Sequence, residues 1–522
     1  MKTIPLLEVA GQAPVGPRAV VPPARVASMP YRAYKPLPFT REERDSVTIL
    51  IGGLHWRAER IAQASMENLG YRVQVLPTAT RDDLLTGREI ADIGQCSPTS
   101  FTTGNLANFL RSRAKDIGAE EVSRTYVYMT FGACGACRFG QYHQSYELAL
   151  RNVGLESFRM FLLAQGLDQD QARGDGLELT FPLLLGIAWA VILTDVVQDL
   201  EYQTRPFEVT PGATTSAARD SVDYLYDVFR RMPRRGEKWT ALGWHLTTGY
   251  FTGAMREVRQ RFAAVDVDRL RPKPVVKLTG EFYLQTVEGD SNYNIHRWLE
   301  AEGAEVYPAA ITVWLDYLLR FAGQNFEDHI DIDRQAKLEL VRIRAAQRLL
   351  RWTYRRMQRA VGGVPHDLPD QQELRRLASP YFNSRLSGGE GDMLIGKALW
   401  AHLHRKAHMI CELSPYSCMP NTMSIGAMAA VIGKYPDLLY APLEIKGDSE
   451  IHALSRCQMI LTEARRRAQR EFDDVMERVG LTAGALAARV TPAMRSATYK
   501  VPRYGITGTA ANFALHLATG GR

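Results

Sequence analysis

The chain has 522 residues, 46% of them hydrophobic, 23% charged and six of them cysteine. That hydrophobic share excludes a disordered chain, and so few cysteines in so long a chain exclude a disulfide-stapled secreted scaffold. Lys plus Arg total 64 against 57 Asp plus Glu, a formal net charge of +7, which leaves an acidic or phosphorylated partner open.

At about 150 residues per domain the length predicts three or four units. Residues 1–45 are proline-rich and read as an extended arm, because proline continues neither helices nor central strands. The start, MKTIPLLEVAGQAPVG, has an apolar run broken by Pro5 and Glu8 and does not resemble an export signal, so the expected compartment is the cytoplasm, with reduced thiols. Residues 46–130 read as a first α/β domain. A strand at Val47–Gly53, a helix around Glu59–Leu69 and a strand at Tyr71–Leu76 make a βαβ unit.

Residues 131–270 read as a CxxC loop followed by a helical domain. Its most apolar stretch, Phe181 to Leu193, falls short of the about 20 residues of a membrane span and is predicted to be a buried helix. Residues 271–445 form a second predicted α/β domain. It starts with a strand at Pro274–Gly280, and Asn294 then caps a helix over Ile295–Glu302 before a strand at Ala304–Tyr307. A long helix over Arg334–Val361 follows, then a helix to about Lys406, a strand at Ala407–Leu413 and a loop at Ser414–Met419. Residues 446–522 read as C-terminal helices, the last of them arginine-rich. The expected fold class is therefore α/β, with Rossmann-like parallel-sheet domains and a helical segment between them. No repeat of solenoid period is present.

The cysteines are grouped. Cys134 and Cys137 form a CxxC in Phe131-Gly-Ala-Cys-Gly-Ala-Cys-Arg-Phe-Gly140, where small neighbours let backbone N–H groups approach the sulfurs. A redox pair, half a zinc ribbon and an iron–sulfur ligand pair all use this spacing; the second CxxC of a ribbon is absent. Cys96 follows Ile93-Gly-Gln and precedes Ser-Pro, which places it on a turn after an expected strand, where open α/β sheets bind ligands. Cys418, in Ser414-Pro-Tyr-Ser-Cys-Met-Pro420, repeats that arrangement. Three cysteine loops of like character favour convergence, and Cys96, Cys134, Cys137 and Cys418 make a thiolate set suited to [4Fe–4S]. Cys411 lies in a strand-like run and Cys457 in a helix, and both read mainly as core residues. All six together would instead hold a larger double cluster.

Other patterns carry less. His402, His404 and His408 have no HExxH and no acidic partner in register, and read as a solvated helix end. The Gly-rich Ser387–Gly396 segment has neither Walker A nor dinucleotide spacing, although a helix after it can receive an anion. Basic runs at Arg230–Arg231, Arg351–Arg359 and Arg465–Arg470 read as solvated helix faces rather than a nucleic-acid stripe.

The blocks GQCSPTSFTTGNL, GACGACRFGQYH, RPFE, VVKLTGEFYLQ with NIHRWLEAEGAEV, GGEGDMLIGKAL and PYSCMPNT occur in one order over about residues 46–460. They resemble the cysteine-bearing C-terminal portion of large activase-type proteins of the 2-hydroxyacyl-CoA dehydratase and benzoyl-CoA reductase superfamily, which includes double-cubane cluster proteins. The resemblance implies an iron–sulfur cluster ([4Fe–4S] or double-cubane) held by Cys96, Cys134, Cys137 and Cys418, with Cys411 as a further candidate. It implies ATP-coupled, low-potential electron transfer, with this chain as a reductase- or dehydratase-like component. The Asp-x-Gly-Thr-type phosphate motif of the family's ATPase domains is missing, so ATP hydrolysis is expected from a separate activator-type iron–sulfur partner. The DSEIHALSRCQMIL block also departs from the small residues of the pattern, which bears on whether the substrate is a CoA ester. Arg138, as a donor to cluster sulfide or a docking residue, and Glu281, facing the site or capping its turn, are the candidate catalytic groups. Two other functions stay open at this point, a non-enzymatic cluster scaffold or electron carrier and a zinc-structured interaction protein. A homo- or hetero-oligomer is compatible with all of them; a membrane role is not expected.

Overall fold

The first expected βαβ unit forms in the computed structural model, which describes residues 38–132, 137–164, 176–234, 238–386, 389–447 and 449–520. Strands β1 (Thr48–Ile51) and β2 (Arg72–Val75) flank helix α1 (Trp56–Asn68) and pair in parallel, Thr48 beside Arg72 and Ile51 beside Val75. Helices α2 (Arg81–Ile90), α3 (Ser97–Ile117) and α4 (Ala119–Thr125) lead to β3 (Tyr126–Gly132), which pairs with the other side of β1. Helix α5 (Tyr142–Asn152) then leads to β4 (Arg159–Ala164) at the edge. The resulting order is β2-β1-β3-β4, all parallel.

Four helices follow: α6 (Phe181–Thr204), α7 (Ala213–Arg230), α8 (Lys238–Thr247) and α9 (Tyr250–Ala263). α6 is apolar around most of its circumference, as a core helix must be. Leu193, Val196, Val197 and Leu200 are fully buried among α7 and α9 side chains such as Val222, Leu225, Phe251 and Val258. The span Phe181–Phe207 has the length and hydropathy to cross a bilayer, and 72% of its most apolar window is buried inside the protein.

The second sheet repeats the first. β5 (Val275–Gly280) is followed by α10 (Phe282–Thr286), α11 (Ile295–Ala301) and β6 (Glu305–Tyr307). Then come α12 (Ile311–Asp328), α13 (Ala336–Ala360), α14 (Gln371–Ala378) and α15 (Gly391–Leu403), leading to β7 (Met409–Pro415). Helix α16 (Met419–Lys434) connects to β8 (Tyr440–Ile445). The order β6-β5-β7-β8 is the same four-strand connection, again all parallel. In each sheet the chain reverses direction across the sheet between its first and third strands, where the crevice at the carboxyl ends opens. The chain closes with α17 (Glu450–Val479), α18 (Ala483–Ala487), α19 (Pro492–Arg495) and α20 (Thr509–Ala518). Residues 36–522 form one compact unit, and most of the proline-rich arm lies outside the described residues.

Several local expectations are corrected. No strand precedes Cys96: Leu84, Gly87 and Ile90 are buried at helical spacing in α2, and a loop joins that helix to Cys96. Asn294 is the residue before α11, but it sits at φ 48° and its side chain makes no cap bond. α15 stops at Leu403 and Arg405 turns the chain at φ 49°, so His408 is not part of a solvated helix end but lies next to the start of β7. The arginine-rich helix is α17, not the last one; α20 buries Phe513, Ala514 and Leu517 against it.

Candidate functional site

Three of the four cysteines singled out from the sequence occupy helix-start positions on loops that meet. Cys96 precedes α3, whose first turn contains Pro98, a residue that needs no N–H there. Cys418 precedes α16 in the same way, with Pro420 in its first turn. The two loops are joined directly: Ser97 N–H donates to the Tyr416 carbonyl at 3.3 Å and Ser97 Oγ to the Ile445 carbonyl at 2.6 Å. Cys137, beyond the end of β3, precedes the short turn Arg138–Gln141, and its sulfur accepts the Phe139 N–H at 3.4 Å. Thus the third strands of both sheets each deliver a cysteine just past their carboxyl ends. Cys134 lies outside the described residues.

The Cys137 segment packs beside Cys96: the Phe139 ring lies 5.1 Å from that of Tyr142, whose hydroxyl is 3.4 Å from the Cys96 sulfur. Burial pushes the Cys418 thiol far up, and the charges of Glu281, Cys96 and Cys137 add to the effect. Burial likewise pushes Cys137 up to about 12, with Glu390, Glu281 and Cys96 contributing in the same direction. Cys96 is raised chiefly by burial, against the pull of Thr99 Oγ1 at 3.1 Å and Tyr142 Oη at 3.4 Å. A thiol held this way ionises only against a positive centre, which is what a metal supplies. Among the described residues no three His, Cys, Asp or Glu side chains are close enough to grip one ion. A mononuclear site needs its sulfurs about 2.3 Å from one ion, whereas a cluster takes them on several metals.

The polar surroundings contain unpartnered groups. Gln95 Oε1, Arg138 Nε, His143 Nδ1 and Glu390 Oε1 are buried without a hydrogen-bond partner, and all four belong to the segments around the thiols. An unpartnered buried donor such as Arg138 Nε costs stability unless something on the missing face accepts from it. Glu281 both caps and faces the site. Its carboxylate accepts the Leu284 N–H at 3.0 Å while its own N–H donates to the Leu413 carbonyl at 2.9 Å, locking the β5 end onto β7. Burial, helped by Glu390 and opposed by the Leu284 N–H, pushes Glu281 up to about 8.

Behind it lies a line of buried ionisable groups. Glu390, raised chiefly by burial, is balanced by Lys397, whose ammonium burial pulls down to about 8 and which donates to Gln285 Oε1 at 3.2 Å. Glu412 of β7, at about 7 through burial, accepts from Asn421 Nδ2 at 2.9 Å and so ties the first turn of the Cys418 helix to the sheet.

Tyr142, Tyr146 and Tyr128 connect the thiols to a cleft. Tyr142 touches Cys96, its ring lies 6.2 Å from Tyr146, and Tyr146 lies 5.6 Å from Tyr128. Tyr128 borders a cleft of about 410 Å³ at the ends of β1 and β2, lined also by Gly52, Gly53, Trp56, Glu59 and Tyr283. Glu59, pushed by burial up to about 7, accepts the Leu54 N–H at 2.9 Å. The floor is an ion network in which Glu201 is gripped by both Arg57 and Arg205, while Arg57 reaches Glu288 at 2.7 Å and Arg205 reaches Glu300 at 2.8 Å.

The remaining candidates go elsewhere. Cys411 and Cys457 are buried together in the core of the second sheet, where the Cys457 thiol and burial push the Cys411 thiol well up, and the structure does not bring Cys411 to the three loops. His402, His404 and His408 face three different acids: Asp437 at 3.6 Å, Glu373 at 2.9 Å and Glu471 at 3.1 Å. Glu390 and Tyr142 were missed from the sequence. Glu390 had a signal, a lone carboxylate between glycines at a helix start; Tyr142 had none, since nothing local marks which tyrosine turns to a thiol. No protein-family model matches the chain, and no curated protein is detectably similar to it.

Proposed function

We propose that the protein is a cytoplasmic iron–sulfur protein of low-potential electron transfer, a reductase- or dehydratase-like component that works with a separate ATP-hydrolysing activator. The observation that carries this reading is the meeting of Cys96, Cys137 and Cys418, drawn from three loops of two sheets, around Arg138 and Glu281. A bound cluster would supply the one-electron chemistry. Cys96, Cys137 and Cys418 would hold it, with Cys134, three residues before the described stretch that begins at Cys137, as the fourth ligand. Arg138 Nε is a donor for a sulfide, and N–H···S bonds of the Phe139 type raise the potential that burial and anionic thiolates lower. Glu281 keeps its proton at neutral pH and so offers one where an electron arrives.

Docking of the electron donor is supported by exposed apolar side chains on the same loops. Ile93 is 92%, Phe131 47%, Tyr416 50% and Met419 46% exposed. The cleft bordered by Tyr128 suits the acceptor, because a pocket of this size with Trp56 and Tyr283 beside Glu59 holds a small organic molecule. This favours an enzyme over a bare electron carrier.

Anaerobic purification with iron and sulfide analysis tests the proposal. Bound iron and sulfide with visible absorbance are expected, with loss of both in Cys134→Ser, Cys137→Ser and Cys418→Ser and retention in Cys457→Ser. A colourless protein with stoichiometric zinc would overturn it.

A further inference from the structure

The basic run of α13 builds a groove that the cysteine centre does not use. α9 and α13 pack through Met255, Val258 and Phe262 against Tyr354, Met357 and Val361, all buried in one core. At 3.6 residues per turn, that apolar stripe turns Arg256 and Arg259 of α9 and Arg355 and Arg359 of α13 outward, and all four are exposed. Together with Arg356, Trp352, Thr252 and Ala360 they line a groove of about 520 Å³. No carboxylate lines it among the described residues.

These arginines differ from the others on basic helix faces. On α17, Arg465 pairs with Glu302 at 2.6 Å, and Arg467 and Arg470 pair with Glu463 at 3.3 and 3.0 Å. One turn earlier on α13, Arg351 pairs with Asp316 at 2.8 Å and also with Asp370. Arg256, Arg259, Arg355 and Arg359, by contrast, form no ion pair among the described residues. Arg356 is fixed differently: it donates to the Leu246 carbonyl and, at 2.8 Å, to the Thr248 carbonyl, and its guanidinium lies 5.3 Å from the centre of the Trp352 ring. Trp352 remains 48% exposed. Several like charges on one concave face repel unless an anion sits among them, and planar guanidinium forks match phosphate oxygens two at a time.

We infer that this groove binds a nucleoside polyphosphate, its phosphates across the four outward arginines and its base on Trp352. Arg355 and Arg359 lie about one turn apart on α13, about 6 Å along its axis, a span for a small ligand rather than a peptide. The volume lies within the range of small-molecule sites.

Equilibrium dialysis of the full chain against ATP, inorganic tripolyphosphate and an oligoglutamate peptide, without divalent metal, tests this. ATP should bind about tenfold more tightly than tripolyphosphate, the margin of one base–aromatic stack, and both should weaken as salt rises. Trp352→Ala should bring ATP down to the affinity of tripolyphosphate and leave tripolyphosphate unchanged. The double variant Arg355→Gln, Arg359→Gln should weaken both at least tenfold, and Arg256→Gln, Arg259→Gln on the facing helix should do the same. Equal binding of ATP and tripolyphosphate, or ATP binding unchanged in either double variant, would overturn the assignment. Oligoglutamate bound more tightly than ATP with the same arginine dependence would instead identify the groove as a face for an acidic protein.

Discussion

Gly104→Ala should loosen the support of the cysteine site without touching a cysteine. α2 and α3 cross at Gly87 and Gly104, and a methyl group at Gly104 would sit 1.7 Å from the Asp83 carbonyl oxygen and 2.7 Å from the Gly87 nitrogen. Ordinary contact begins near 3.4 Å, so the helices must part by well over an ångström, and both obstacles are backbone that no rotamer change can move. Overpacking of this kind costs about 3 kcal/mol, and alanine returns about 1 kcal/mol of helix propensity, leaving a net loss of about 2 kcal/mol. For one compact unit of about 490 residues, at about 2.1 cal/mol/K of unfolding entropy per residue, that lowers Tm by about 2 °C. Gly243→Ala in α8 is the control, since a methyl group there meets nothing within 4 Å and should raise Tm slightly. Far-UV melts of both variants read the difference, and the displaced α3 should also lower iron content in the Gly104 variant, because Cys96 heads that helix. A Gly104→Ala protein that melts at or above the parent would refute the close crossing.

Glu281→Gln tests the raised carboxyl. Its folded pKa of about 8 lies above the unfolded value of about 4.3, so the folded chain holds the proton through that window. The associated stability is complete below the unfolded value and is lost as pH rises through about 8. The variant should therefore match the parent near pH 4, where the carboxyl is protonated in both folded and unfolded chains, and melt increasingly above it as pH rises to 9; equal Tm differences at pH 4 and pH 9 would remove Glu281 from the buried set. Glu201→Ala leaves Arg57 and Arg205 buried beneath the cleft without their shared carboxylate, at a cost of about 3–5 kcal/mol in denaturant melts. A change under about 1 kcal/mol would mean that Glu288 and Glu300 suffice as counter-ions.

Much of the fold was legible because its signals are local. The Val47–Gly53 run is apolar and ends in glycines, the Tyr71–Leu76 run alternates and is followed by Pro77, and β1 and β2 form there. The all-apolar Phe181–Leu193 stretch predicts burial, and α6 is the central core helix. Cys418 was placed correctly between an apolar strand and a Pro-started helix. Cys96 was not, because its preceding Ala91–Gly94 segment is short enough to read as strand, whereas the helical spacing of Leu84, Gly87 and Ile90 settles the matter one turn earlier. The joining of the Cys96 and Cys418 loops, through Ser97 and the Tyr416 and Ile445 carbonyls, is a contact over more than 300 residues that no local pattern encodes. Its only sequence trace is the shared Cys-x-Pro step at a helix start.

The identical strand order of the two sheets bears on when the site comes into existence. Each half closes its sheet with strands from its own stretch of chain, 48–164 for the first and 275–445 for the second. Synthesis proceeds from the N-terminus, and domains generally fold as units as they emerge. The first sheet, with Cys96 and Cys137, can thus be complete while the second is still being made, and Cys418 joins them last. A nascent chain would expose a thiol set that lacks its closing member, so any group bridging both halves is a post-translational arrival, admitted only after the second sheet has folded.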